Sequence, residues 1–316
     1  MRIERMQEGE ALPVNTVAEH APSLLPRQKQ WKLIWNDEFD GDALDETKWS
    51  YRTHYWGQRS PTFTDHEGVV LDGQSHARLH LICRDGRYLS PHLQTGSNSF
   101  DLPRDTDGMW SLGEMQKPKF MHRFGYYEIR CRLPKNDGWH AAFWLQAPSI
   151  GTAYDPKYCG VECDVMENYR QHTEGILLCG NGWGGYGKNS VWPGHFRFPY
   201  KETADGWHYY GVDWSEDGYS FYADGVLIGM QNPPECPVSY VEQFILISTE
   251  CHGYHAPLRG NGNRLGLDEV CQVENASGAY DAQSGYVMTN QPVEALKKAL
   301  LPDYFEVDFV RVYDEV

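Results

Sequence analysis

The stretch "YSFYADGVLIG", Tyr219–Gly229, decides the fold class. Two short apolar runs flank Asp224-Gly225, and Asp-Gly in that setting marks a two-residue hairpin turn, because both turn positions need φ > 0. Similar runs recur on either side at short spacing: "HARLHLICR" (76–84), "FGYYEIRCRLP" (124–134), "HAAFWLQ" (140–146), "VECDVMEN" (161–168), "GILLCGN" (175–181), "HYYGVDWS" (208–215), "QFILISTE" (243–250) and "YFEVDFVRVYD" (304–314). The one helical pattern is "PVEALKKALL", Pro292–Leu301, with Pro at its start. Many short strands with 31 Gly, 20 Tyr and 11 Trp predict an all-β protein, a β-jelly-roll sandwich of two antiparallel sheets. Residues 1–30 are polar, carry Pro13, Pro22 and Pro26, and read as an irregular N-terminal arm. With no internal repeat or linker beyond it, residues 31–316 read as a single domain.

Composition narrows the partners. A formal net charge of −16 argues against nucleic acid, whose phosphates call for Lys and Arg. No apolar run approaches the ~18–20 residues that span a bilayer, so no membrane partner is expected. A monomer is expected. The N-terminal stretch lacks an apolar core that would serve as a secretion signal, which leaves cytoplasmic residence and a trimmed signal both open. Several of the eight cysteines sit in apolar strand-like runs, where free buried thiols are the ordinary reading.

The chemistry lies in "GVECDVMENYR", Gly160–Arg170. Val161, Cys163 and Val165 alternate with Glu162 and Asp164, so one strand face is apolar and the other acidic. A regular strand would then turn Glu167 into the apolar core, where an unpaired carboxylate is costly. A one-residue bulge near Val165-Met166 removes the conflict by returning Glu167 to the acidic face. Cleavage of a glycosidic bond uses such a set: one carboxyl protonated as general acid, another ionised. Asp164 between the two Glu can keep their protonation states apart. A solvated acidic strand is the competing reading, and spacing alone does not settle retention or inversion.

Aromatic residues surround this stretch. Trp139 and Trp144 lie just upstream in "GWHAAFWLQAP"; Trp183, Tyr186 and Trp192 lie downstream in "GNGWGGYGKNSVWPGHF". Sugar rings suit amphipathic aromatics flanked by hydrogen-bonding groups. Core packing is the better reading for Trp144 and the weaker one for Trp183, which sits among glycines.

The run "ECDVME" resembles the bulged E-x-D-x-x-E signature of glycoside hydrolase family 16. "LIWNDEFDG", "FGYYEIRCRLPKNDGWHAAFWLQ", "WHYYGVDWSEDGYSFYADGVLIG" and "YFEVDFVRVYD" agree with that family in type and order, over about residues 31–316. The resemblance implies a jelly roll with substrate across its concave face, and a retaining double displacement. It implies Glu162 as nucleophile, Glu167 as acid/base and Asp164 as assistant. Cys163 departs from the usual branched aliphatic residue but stays apolar. The resemblance also implies a structural Ca²⁺ at Glu38 and Asp308, whose hard oxygens suit that ion, with a plain salt bridge as the alternative. No cofactor is required for the chemistry.

For substrate, "FILISTECHGYH" looks more like the agarase and porphyranase branches than the laminarinase branch. That points to a β-galactan of agar, porphyran or carrageenan type, with Glu250 and His252 as candidate contacts. An endo-β-1,3(4)-glucanase and a non-catalytic carbohydrate-binding protein are the alternatives. A zinc site from Cys251, His252, His255 and Cys271 is a further rival, but it lacks paired C-x-x-C spacing.

Overall fold

The structure, a computed structural model, describes residues 11–52, 63–97, 117–150, 155–168, 175–184, 191–252, 279–281, 286–288 and 292–316. Its architecture is all-β, in curved antiparallel sheets. One half carries the strands Phe196–Pro199, Ile176–Gly182, Glu162–Asn168, Trp139–Gln146, Phe244–Cys251 and Arg87–Gln94, side by side in that order. The path continues through Ala77–Arg84, Asp303–Glu315, Gly125–Arg132, His208–Ser215, Gly218–Ala223 and Val226–Gln231, which form the second half. Trp31–Asp37 adds to the C-terminal strand, pairing Asp37 with Val310 and Trp31 with Glu315.

Alternation drives the two halves together. Ala141, Phe143, Leu145, Cys163 and Val165 from the first face Tyr127, Ile129, Val212, Phe305 and Val307 from the second in one buried core. Residues of opposite parity then stand on the outer faces, as the two-residue strand period requires. The tight turn read at Asp224-Gly225 is present: Ala223 pairs with Val226, and the turn residues have φ of 48° and 78°.

Two expectations change. The N-terminal arm, of which residues 1–10 lie outside the described residues, is not wholly irregular. Ala11–Val14 and Ser23–Pro26 form a hairpin, and Leu25 packs with Tyr126, Tyr222 and Tyr313 of the second half. Arg311, fully buried, donates to Ala21 O and Ser23 Oγ, and the Leu24 N–H donates to Glu128, which pins this hairpin down. The helix expected over 292–301 shrinks to Glu294–Lys297. Its Leu296 is buried beside Gly138, where any Cβ would collide with the Leu296 backbone. The seven described cysteines are free, six of them buried; Cys271 lies outside the described residues.

Candidate active site

The acid-bearing strand Glu162–Asn168 sits between Trp139–Gln146 and Ile176–Gly182. Against the first, Glu162 pairs with Gln146, Asp164 with Trp144, Met166 with Phe143 and Glu167 with Ala142. Against the second, Asp164 pairs with Gly180 and Glu167 with Leu178. Both registers slip between Asp164 and Glu167, which makes Val165 the extra residue of a bulge. Val165 and Met166 both enter the core, and Glu162, Asp164 and Glu167 emerge together on the opposite face.

The three carboxylates are buried, at 8%, 4% and 8% exposure in chain order, which rules out a solvated acidic strand. Burial, then the charges of Asp164 and Glu167, push the Glu162 carboxyl well above its usual range; Arg52 and a hydrogen bond from Gln146 (3.0 Å) oppose them. Glu162 therefore holds a proton to higher pH than an isolated carboxyl.

Two histidines absent from the sequence reading complete the face. His195 Nε2 lies 2.9 Å from Asp164 Oδ2 and 3.6 Å from Glu167 Oε2. The ligand-capable atoms of these three residues lie within 4.8 Å of one another, a spacing that a histidine hydrogen-bonded between two carboxylates produces without a metal. His140 Nε2 is 4.0 Å from Glu167 Oε1. Glu250 pairs in register with His140, and the His252 ring lies 5.5 Å from that of His140. Glu250 and His252 thus belong to the Glu167 end of the acidic face.

The four tryptophans divide differently from expectation. Trp139 is buried in a satellite core with Leu81, Tyr88, Cys251 and Leu296, out of reach of a sugar. Trp144 is on the acidic face, with its Nε1–H donated to Ser248 Oγ at 2.9 Å. Its indole is packed against Ala142, Phe244 and Leu246, so it supports the site floor. Trp183 packs half-buried on the main core. Trp192 is the open one: 40% exposed, 5.6 Å from the His195 ring, and seated over Gly182. Tyr186 lies outside the described residues.

Two metal readings do not fit. Glu38 is forked onto the buried Arg311 guanidinium (2.9 and 2.7 Å), and Asp308 is paired with Arg130, so each carboxylate already faces a cation. Those residues suit ion pairs rather than Ca²⁺. For zinc, Cys251 enters the satellite core while its neighbour His252 emerges on the acidic face, so they cannot share an ion; His255 and Cys271 lie outside the described residues. A groove of ≈ 660 Å³ runs along Arg132, Lys135, Tyr200, Asp205, Tyr304 and Glu306, none of them on the acid-bearing strand.

Buried paired glutamates on the bulged inner strand of a jelly roll define a glycoside hydrolase. Comparison with known proteins agrees. The profile of the family described as "Glycosyl hydrolases family 16" matches residues 56–240, and the chain belongs to that family, whose members retain anomeric configuration. Glucan endo-1,3-beta-glucosidase A1 of Niallia circulans is 30% identical over 199 residues, which are 61% of this chain and 28% of that protein. The chain thus spans little more than a quarter of that relative's length. Beta-porphyranase D of Zobellia galactanivorans is 26% identical over 152 residues, 46% of this chain and 32% of that one. The solved laminarinase from Flavobacterium sp. UMI-01 superposes with a TM-score of 0.57 at 19% identity, over 90% of this chain and 100% of that one, a likeness of fold.

Proposed function

We propose that the protein is a retaining endo-β-glycanase that cuts internal bonds of a β-1,3-glucan or mixed-linkage β-glucan. The observation that carries the reaction is the Val165 bulge, which brings Glu162, Asp164 and Glu167 onto one buried face. In the first step a Glu162 oxygen bonds to the anomeric carbon as the glycosidic C–O bond breaks. Glu167 gives its proton to the departing oxygen. In the second step Glu167 takes a proton from water, whose oxygen displaces Glu162 and restores the configuration. Asp164 stands between the two and biases which of them holds the proton. Trp192, exposed beside the acids, offers a face to a pyranose ring.

The glucan assignment reverses the β-galactan leaning of the sequence. It is supported by the 30% identical glucan endo-1,3-beta-glucosidase, against 26% for the porphyranase. A β-galactan is the second reading, favoured by Glu250 and His252 at the Glu167 end of the face, where they would meet a sugar ring.

The test is product analysis after incubation with laminarin, mixed-linkage glucan, agarose, porphyran and carrageenan. An oligosaccharide ladder from either glucan supports the proposal; a ladder from a galactan alone transfers the assignment to the second reading. Binding without cleavage of any of them would leave a carbohydrate-binding protein and sink the reaction.

A further inference from the structure

Among the described residues, His195 comes from outside the E-x-D-x-x-E strand and touches two of its carboxylates. It lies 31 residues beyond Asp164 in sequence, just before the strand Phe196–Pro199. The segment that carries it is fixed from several sides. Gly180 on the neighbouring strand leaves room for the ring, whose Cδ2 would stand 3.0 Å from a Cβ there. The Gln231 amide donates to Gly194 O at 3.3 Å, and its oxygen accepts from both the Asn181 backbone and side chain at 2.8 Å. Trp192 covers the ring from the open side.

Taking Glu167 as the acid/base of the reaction proposed above, we propose that His195 is a positioning residue of the catalytic centre. Its imidazolium holds Asp164 by a charge-assisted hydrogen bond and stands beside Glu167 as counter-charge to the carboxylate formed when Glu167 protonates the leaving group. Once that proton has left, the strand would carry Asp164 and Glu167 as neighbouring buried anions. A cation 2.9 and 3.6 Å away offsets both. The groups facing the ring are Asp164 and Glu167 from the acid strand and Arg197 from its own strand, with His140 beyond Glu167. Burial alone would lower the imidazole, but the Asp164 hydrogen bond and the Glu167 and Asp164 charges outweigh it and Arg197, raising it to about 9. His195 is therefore charged across the neutral range.

The bland alternative is that His195 only seats Trp192 against the strand. Two measurements separate the readings. The first needs no substrate: NMR titration of the His195 imidazole in the free protein and in Asp164→Asn. The expected midpoint is near 9 in the wild type, falling by at least about one unit when the Asp164 charge is removed. An ordinary midpoint of ~6.5 in the wild type would overturn the proposal.

The second is the pH–rate profile of His195→Gln on whichever polysaccharide the wild type cleaves. The expectation is a kcat loss of ~10- to ~100-fold, the span of one charge-assisted hydrogen bond, with KM little changed. The alkaline limb should also move to higher pH, because Glu167 without its cation holds its proton longer. An aryl glycoside with a good leaving group should lose less. A profile that superimposes on the wild type, or a rise in KM at constant kcat, would overturn it. If the wild type cleaves none of the polysaccharides, the reaction fails while the titration still decides the role of His195.

Discussion

Replacing Glu162 by Gln should stabilise the fold while turnover falls by several orders of magnitude, as loss of a nucleophile requires. The two side chains are isosteric, and a Gln oxygen can still accept from Gln146, so no cavity and no orphaned donor result. What disappears is a buried negative charge two residues along the strand from Asp164. Two strand steps are ~6.6 Å, and at an effective dielectric of ~20 two unit charges there repel by ~2.5 kcal/mol. Arg52 pulls the other way, so the net gain should fall within about 0.5–2 kcal/mol. The pH dependence has a definite sign. Burial and the neighbouring charges raise the Glu162 carboxyl in the folded state, so the native protein binds that proton more tightly than the unfolded chain. The penalty is therefore largest at pH 8 and fades as pH falls toward the ordinary carboxyl value of 4.5. Urea unfolding of both proteins at pH 4.5, 6 and 8, followed by Trp fluorescence, measures it. A variant less stable at pH 8, or a gain independent of pH, would refute the reasoning.

Three further expectations concern other parts of the molecule. Glu167→Ala should spare substrates with good leaving groups relative to natural polysaccharide; equal losses on both, compared by initial rates, would remove it from the role of acid. His195 makes the opposite contribution to stability: its imidazole is raised from 6.5 to about 9, so the stabilisation is complete below pH 6.5 and lost as pH rises through about 9. Discounted for partial exposure, that is ~2 kcal/mol between wild type and His195→Gln at pH 6, closing by pH 9.5 in paired urea titrations. Glu38→Gln should cost about 3–5 kcal/mol in urea unfolding by removing the carboxylate charge that balances the buried Arg311 guanidinium. Chelation of Ca²⁺ should leave Tm unchanged, and a clear drop in Tm on adding chelator would contradict the reading of Glu38 and Asp308 as ion-pair partners.

Much of the strand framework was legible because buried strands announce themselves by alternation, and the strand His208–Ser215 falls on the stretch read from sequence. The limits were local. Asp85-Gly86 carries the same turn signal as Asp224-Gly225, with φ of 51° and 77° and Arg84 paired with Arg87. Yet the following strand Arg87–Gln94 reads "RYLSPHLQ", where Pro91 and the polar residues argue against a strand. The N-terminal hairpin escaped for a similar reason, since Pro13 and Pro26 lie within its two strands. Pro is tolerated at a sheet edge, and what holds this hairpin down is Arg311, nearly three hundred residues away in sequence.

The three acids of the candidate site are legible in the sequence, while the groups that govern their charge are not. Glu162, Asp164 and Glu167 sit on one strand, so a period and its break locate them. Parity extends to the neighbouring strand as well. Trp139 and Trp144 are five residues apart and cannot share a face of a regular strand, so His140 and Gln146 must lie on the same side as Trp144. With Ala141, Phe143 and Leu145 in the core, Trp139 falls on their buried side. No such rule reaches His195, which comes from beyond a Gly-rich loop, or Arg52, which precedes the paired long strands. Energetics reach them in kind if not in position. Three buried carboxylates within six residues cannot all ionise without a cation nearby, and Lys and Arg are missing from the acid strand itself. A strand that reads as an acid cluster thus carries a second expectation, a cationic partner from a distant segment. In this fold, the half-buried imidazole of His195, 2.9 Å from Asp164, supplies it.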